Sequence, residues 1–527
     1  MASVENEATP LLLNNQNTQG RIRLHLFFHQ KWVQLSCARG SKGAWCRAGM
    51  IRALRNGRLF VAAFSAVLGS FIFGYAMVFP SAVIPQLQED DDPRLLMDID
   101  QISWFGSIFA IGVIAGGLSA MLMNDKLGRK HSIMISVIPF MAGFLMMAAA
   151  REWLLLLLGR LLTGIASGIT ASSIPVYVSE ISHPGVRGAL GASPQIMMVI
   201  GGLALYALGL VLPWQWLAIA GEVPGLIMLM LLCFMPNSPR YLITKGKWDE
   251  AARALQWLRG PDSNYITELN QIQQSVNSQD RMTCSDLRSP FYYKPILISV
   301  FMRLLQQMTG ITPILIYLEP IFEKTAVSLE PKYDAAIVGL VRLVTIIIAA
   351  CLMDKAGRKS FLYASAFIMF LAMLTMTVYT HKTSCDSGNI TVALQCATKS
   401  FGVMTGFDFK SGTVIPLISI IFIALGYVIG WGPITWLLMS ELLPMKVRGF
   451  VSGVCVVVSY ITTFLLTQFF MQAVEAFGLF ALFLFFCVIC VVNIIFTAKC
   501  VPETKGRTLE EIENYFRTGR TFTIVES

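Results

Sequence analysis

Long apolar runs alternate with short polar loops along this chain, and twelve runs reach the length of about 20 residues that one helix needs to cross a hydrocarbon core. They begin near residues 59, 101, 131, 154, 189, 214, 295, 332, 360, 412, 447 and 476. Each is predicted to be a membrane-spanning helix. Their internal Gly and Pro residues do not count against this, because neighbouring helices repair local breaks in a bilayer. The polar punctuation repeats. Ser179-Glu180-Ile181-Ser182-His183-Pro184-Gly185-Val186-Arg187-Gly188 returns as Ser440-Glu441-Leu442-Leu443-Pro444-Met445-Lys446-Val447-Arg448-Gly449, and Asp125-Lys126-Leu127-Gly128-Arg129-Lys130 returns as Asp354-Lys355-Ala356-Gly357-Arg358-Lys359. The pattern predicts an all-α membrane protein of twelve transmembrane helices in two pseudosymmetric six-helix bundles, able to rock about a central site.

The predicted organisation is a tail over 1–58, a first bundle over 59–235, a linker over 236–290, a second bundle over 291–501 and a tail over 502–527. Within the linker, Trp248 to Leu258 and the segment around Tyr265 to Val276 have helical periodicity. The second half is longer between its repeats, and the excess is a loop from about 381 to 411. It carries Asn389-Ile390-Thr391, which makes Asn389 the N-glycosylation candidate, flanked by Cys385 and Cys396. Most other cysteines lie within spans and read as small packing residues.

Composition agrees with lipid as the solvent: 55% of residues are hydrophobic and 14% charged. The net charge of +9 does not indicate nucleic acid, because residues 1–58 hold nine Lys/Arg against two Glu. The remaining basic loop residues, among them Lys126, Arg129, Lys130, Arg187, Arg358, Lys359 and Arg448, fall on one side, which the positive-inside rule makes cytosolic along with both termini. No cleavage site follows the first run, so no removable signal peptide is expected. Residues 21–50 read as a disordered tail or as a basic patch on anionic lipid, with Cys37 and Cys46 as palmitoylation candidates.

At membrane depth, Arg303, Gln306, Gln307 and Gly310 share one helix face. Amides both donate and accept hydrogen bonds, which suits a ring of hydroxyls that must later be released. Arg303 and Arg342 each lie about twelve residues from the end of their spans, about 18 Å in at 1.5 Å per residue. The acids at comparable depth are Glu222 and Glu319. Either an arginine pairs with one of them, or it waits for an anionic group on a substrate. Ser/His/Asp sets, metal-spaced Cys/His clusters and phosphate loops do not occur there, so neither enzyme chemistry, a cofactor nor a metal is expected.

These motifs, with Gly159-Arg160, Pro175-Val176-Tyr177-Val178-Ser179-Glu180, Pro236-Asn237-Ser238-Pro239-Arg240, Gln306-Gln307-Met308-Thr309-Gly310-Ile311, Gly432-Pro433-Ile434-Thr435-Trp436 and Pro502-Glu503-Thr504-Lys505-Gly506, resemble the sugar porters of the major facilitator superfamily. The loop bearing the sequon is similar to that of the third class of animal facilitative glucose transporters. The resemblance implies facilitative transport of a hexose, sugar contacts at Gln195, Gln306, Gln307 and Trp436, and a monosaccharide and the lipid bilayer as partners of a monomer. Thr312 stands where the family has Asn, Val428 where it has Glu, and Ser459-Tyr460 where it has Asn-Trp. Arg342 stands where glucose-carrying members have Asn. Arg129, Arg160, Glu180, Arg187, Arg358, Glu441 and Arg448 are expected to form a charge network at the cytosolic helix ends that clamps the halves and can be broken. Proton-coupled relatives carry Asp after the Gly-Tyr of their first span. Here that position is Ala76, which favours uniport, while Glu222 and Glu319 leave symport open and the depleted pocket leaves a transport-inactive sugar sensor open. Glu7 with Leu11 and Leu12 resembles a dileucine signal read by a clathrin adaptor, which predicts an endosomal or lysosomal membrane, with the cell surface as the alternative.

Overall fold

The computed structural model describes residues 57–89, 93–183, 186–260, 265–277, 290–325, 330–352, 357–386, 414–444, 448–504, 511–512 and 515–516. The expectations for Glu7, Leu11, Leu12, Asn389 and Cys396 lie outside these residues, as do the side chains of Arg187, Cys385 and Arg448. The described residues from Ala62 onward belong to one compact unit.

The first half runs α1 (Gly57–Gln88), α2 (Ile99–Lys126), α3 (Arg129–Ile135), α4 (Val137–Ala148), α5 (Trp153–Ile181), α6 (Arg187–Gly209), α7 (Trp214–Ala220) and α8 (Glu222–Cys233). Three helices of the linker follow: α9 (Pro239–Thr244), α10 (Trp248–Arg259) and α11 (Tyr265–Asn277). The second half runs α12 (Pro290–Met308), α13 (Ile311–Ile316), α14 (Leu318–Lys324), α15 (Pro331–Leu352), α16 (Arg358–Asp386), α17 (Ile415–Ile429), α18 (Pro433–Leu442) and α19 (Arg448–Cys500).

Among the described residues, ten helices or helix pairs are long and apolar enough to cross a membrane. The last of these, Val451–Cys500, is two spans joined at Gly478, whose φ of 76° breaks the helix. The interrupted run α12–α14 completes twelve. Exposed apolar side chains such as Leu122, Ile138, Met230 and Phe469 cover the outside of these spans, where lipid rather than water is the solvent.

Close packing in the first half rests on glycine. Gly112 and Gly116 on α2 face Gly164 and Gly168 on α5, so that a Cβ on Gly116 would lie 2.0 Å from the Ile165 carbonyl oxygen and one on Gly168 2.2 Å from that of Val113. Two small-xxx-small stripes therefore let the backbones touch, which supplies packing in a solvent that offers no hydrophobic drive. The halves meet along α2 with α19 and along α6 with α15. Hydrogen bonds between them among the described residues include Ser107 to Gln468 (2.5 Å), Gln472 to Asp100 (2.7 Å), the Glu319 amide to Ser81 (3.2 Å) and Tyr206 to the Leu315 carbonyl (3.1 Å), each toward the ends of the spans remote from the basic loops.

The linker helices form a small cytosol-style core of their own, with Tyr241, Leu242, Ile243, Ala251 and Ala254 buried against Leu269 and Ile272. Arg259 holds it to the bundle by donating to the Ile181 carbonyl (2.9 Å) while forking onto Glu268 at 2.7 and 2.9 Å.

Candidate substrate site and loop-face charges

Two helices break where they face each other in the second half. Between α12 and α13 the chain turns at Gly310, with φ 77° in the left-handed region; a Cβ there would lie 2.5 Å from the Phe486 ring. Between α17 and α18 it turns through Gly430-Trp431-Gly432, freeing backbone carbonyls at depth. Gln306 closes this second break. Its amide nitrogen donates to the carbonyls of Trp431 (2.8 Å) and Gly432 (3.1 Å) and to the Tyr427 hydroxyl (3.0 Å), while its amide oxygen accepts from Arg303. Ser365 braces the same turn, donating to the Gly426 carbonyl (2.6 Å) and accepting from the Trp431 amide (3.2 Å).

Gln307 differs from its neighbour. Its oxygen accepts from the Thr312 hydroxyl at 3.0 Å, and its amide NH2 makes no hydrogen bond among the described residues. Thr312 therefore orients a free donor pair. Trp436 is half-buried, and the Arg303 guanidinium lies 3.9 Å from its ring centroid, covering one face by a cation–π contact. Gln195 is half-buried on α6, one residue before Ile196, which packs with Leu343 and Tyr427 around the buried Val199, Ile346 and Val428. This cluster brings α6, α15 and α17 together, and with them Leu343, the residue after Arg342.

Arg303 and Arg342 are both buried, at 1% and 7% exposure. Neither pairs with Glu222 or Glu319. The described ion pairs include Arg129–Glu180, Lys247–Glu250, Arg259–Glu268, Lys332–Glu330 and Arg358–Glu441, and none of them involves Arg303, Arg342, Glu222 or Glu319. The expected arginine–glutamate pairing at depth is thus not formed: Arg303 is held by Gln306 and Trp436, and Glu319 sits beside Ser81 toward the far end of its span.

At the basic-loop face the two halves repeat one arrangement. Arg129 contacts Glu180 at 3.1 Å, and the other oxygen of Glu180 accepts from Ser238. Arg358 contacts Glu441 at 3.4 Å, and the other oxygen of Glu441 accepts from Thr504 at 2.6 Å. Glu503 further accepts from the backbone amides of Arg358 (3.0 Å) and Lys359 (3.1 Å), where the start of α16 leaves them unpaired. Each pair closes inside its own half instead of clamping one half to the other. Ser238 and Thr504 occupy equivalent places in Pro236-x-Ser238 and Pro502-x-Thr504, a correspondence present in the sequence but masked by the different residues that follow.

Arg160 is not part of this network. It lies twenty residues before Glu180, about 30 Å along α5 at 1.5 Å per residue. It is fully buried, donating to the carbonyls of Ala76 and Phe105 (3.3 Å) and stacking on the Phe109 ring, 4.6 Å from its centroid. The direction of α5 puts it toward the end of the spans remote from the basic loops, so shared charge was no guide to shared location.

A family model described as "Sugar (and other) transporter" matches residues 62–516. The chain belongs to this sugar transporter family. Over 472 residues the sugar transporter is 54% identical to the human "Solute carrier family 2, facilitated glucose transporter member 6", covering 89% of this chain and 93% of that protein. The mouse "Solute carrier family 2, facilitated glucose transporter member 8" is 36% identical over 88% of this chain and 96% of that protein. Among solved structures, the inward open conformation of the xylose transporter XylE from E. coli superposes with a TM-score of 0.69 at 22% identity, covering 86% of this chain and 99% of that one. The fold of this sugar transporter is therefore the twelve-helix major facilitator fold, and its family is one of transporters and not of enzymes.

Proposed function

We propose that this protein is a facilitative uniporter that carries a hexose, glucose or a related monosaccharide, by alternating access. The observation that carries the reading is the division of labour between Gln306 and Gln307 at two facing helix breaks: one amide is spent on the Trp431 and Gly432 carbonyls, the other keeps its donors free beside Thr312. In this reading Gln307 and Gln195 bond sugar hydroxyls, Thr312 orients Gln307, Gln306 holds the turn, the open face of Trp436 receives the sugar ring, and Arg303 and Arg342 border the site. Twelve spans and basic loops on one side make that side cytosolic, together with both tails. The halves, bounded as 59–235 and 291–501, move against each other with the linker 236–290 between them. The chain works as a monomer in a lysosomal or endosomal membrane, delivered through Glu7, Leu11 and Leu12 by a clathrin adaptor, with Asn389 glycosylated on the lumenal side. Ala76 in place of a protonatable residue supports uniport over symport.

The test is counterflow of labelled hexose into proteoliposomes holding purified protein, with and without an imposed pH gradient. Saturable exchange that ends at equal concentrations under both conditions is expected. Accumulation above equilibrium driven by the gradient overturns uniport in favour of proton coupling, and binding without exchange overturns transport in favour of a sensor.

A further inference from the structure

The site holds more positive charge than the described residues balance. Tyr427 lies between the surroundings of both arginines: Gln306, which accepts from Arg303, donates to its hydroxyl, and it packs on the same cluster as Leu343, the residue after Arg342. Tyr427 accepts from Gln306, and Tyr206 donates to the Leu315 carbonyl, so both phenols are already engaged. The Nε of each arginine is buried with no hydrogen-bond partner among the described residues. Arg303 at least has Gln306 and the Trp436 ring. Among the described residues no hydrogen bond or ion pair engages Arg342, and no acid forms an ion pair with either guanidinium.

An uncompensated arginine at this depth costs several kcal/mol on any scale, and two sharing one neighbour cost more. Topology does not need them there, since the basic loops already set orientation. Their planar forks match a carboxylate or a phosphate better than a hydroxyl, because two parallel charge-assisted bonds form at once. The free donors of Gln307 and the half-buried Gln195 remain for the uncharged part of such a ligand.

Resting on the transport reading above, we propose that the cargo is a monosaccharide bearing one anionic group, a carboxylate or a phosphate, with Arg342 as the residue that binds that group and Arg303 as the fixed charge that orients it. Selectivity then comes from desolvated charge: a neutral hexose leaves Arg342 unmatched, whereas a hexuronate satisfies it. A carried monoanion also makes net uptake respond to voltage. At about 2.3 kcal/mol per 100 mV, an inside-positive potential of about 60 mV should drive roughly tenfold accumulation.

The experiment uses full-length protein in proteoliposomes, in chloride-free HEPES buffer and again with chloride. Labelled D-glucose, D-glucuronate and D-glucose 6-phosphate are compared as exchange partners and as competitors. The expected result is that at least one anionic sugar exchanges and competes at concentrations tenfold or more below those of glucose. Arg342→Gln should reduce the ratio of anionic to neutral exchange at least tenfold, and Arg342→Lys should restore part of it. If glucose exchanges while neither anion competes, or if Arg342→Gln leaves the ratio unchanged, the proposal fails and the transport reading survives. Glucose exchange that depends on chloride, with both anionic sugars inert, also overturns it, since the counter-charge is then inorganic. Should no sugar exchange, the transport reading fails instead. Thermal melting of the detergent-purified protein then decides the binding claim: an upward shift with glucuronate or glucose 6-phosphate that Arg342→Gln abolishes upholds it, and the absence of a shift overturns it.

Discussion

Replacing Gly106 by Ala should open the far side of the protein. Gly106 on α2 receives the hydroxyl of Tyr317, which stands at the break between α13 and α14 in the other half. A Cβ on Gly106 would lie 2.3 Å from the hydroxyl oxygen and 2.8 Å from Cζ. Ordinary contact begins near 3.4 Å, so the phenol must retreat by about 1 Å, and overpacking of this kind costs about 1–3 kcal/mol. Tyr317 has nowhere to go: it is fully buried, its ring stacks on Phe470 at 5.4 Å and its hydroxyl donates to the Thr467 carbonyl at 3.3 Å. The clash exists only while the halves touch at this end, so it acts on one conformation and not the other. A bias of about 1–3 kcal/mol moves the ratio of the two states by roughly 5–150-fold. Gly117→Ala is the control on the same helix, since its Cβ would meet only the Ser172 hydroxyl, at 3.5 Å. Both substitutions gain the same helical propensity, about 1 kcal/mol, which cancels in the comparison. Spin labels at Leu96 and Phe477, both exposed, report the separation of the halves by pulsed dipolar spectroscopy. The longer-distance population should rise in Gly106→Ala and stay unchanged in Gly117→Ala. Identical distance distributions in the two variants would refute the claim that this contact holds the far side closed.

Two further outcomes follow from the packing and the site. Gln306→Ala removes the donor to two backbone carbonyls and the acceptor from Arg303, each loss costing about 1–3 kcal/mol in a buried setting; melting of the purified protein should fall sharply, whereas Gln307→Ala should melt close to wild type and raise the half-saturating sugar concentration. Gly168→Ala forces α2 and α5 apart by placing a Cβ 2.2 Å from the Val113 carbonyl oxygen, so folded yield and melting temperature should drop well below those of Gly117→Ala; equal stability would mean that the glycine stripes do not set the helix separation.

The spans, their number and the duplication were legible because the bilayer imposes one strong rule, about 20 apolar residues per helix. The breaks were not. Gly310 and the Gly430-Trp431-Gly432 turn lie inside runs that stay apolar, and hydropathy does not distinguish a continuous helix from one interrupted by a φ of 77°. The stripes at Gly112/Gly116 and Gly164/Gly168 stood in the sequence as a four-residue spacing, and that spacing was the signal for a close helix pair. For the site, the shared face of Arg303, Gln306 and Gln307 was visible from helical period. Which glutamine stays free was not, because the answer depends on carbonyls released by a helix more than a hundred residues away. Tyr427, which joins Gln306 to the field of both arginines, gave no polar signal stronger than that of any buried tyrosine.

The twin glutamates separate two ideas of what the repeats are for. Spacing alone made Glu180 and Glu441 members of a clamp between halves, but each carboxylate has both oxygens engaged within its own half, by Arg129 with Ser238 and by Arg358 with Thr504. The Glu180 side chain is 9% exposed and that of Glu441 18%, so solvent does little to replace these partners. Ser238 follows the last helix of the first half and Thr504 the last helix of the second. Each glutamate therefore ties the chain leaving its half back to the fourth span of that half, which stiffens the half. Stiffness is what rocking requires, because two units that flex cannot open one side by closing the other. Glu180→Gln and Glu441→Gln should thus lower melting, by about 1–3 kcal/mol each for a charged partner left without its match, while spin-label distances between the halves keep the wild-type distribution. The opposite pattern, unchanged melting with a displaced distance distribution, is the signature of a clamp across the halves, and it would show that the pairs exchange partners between the two states.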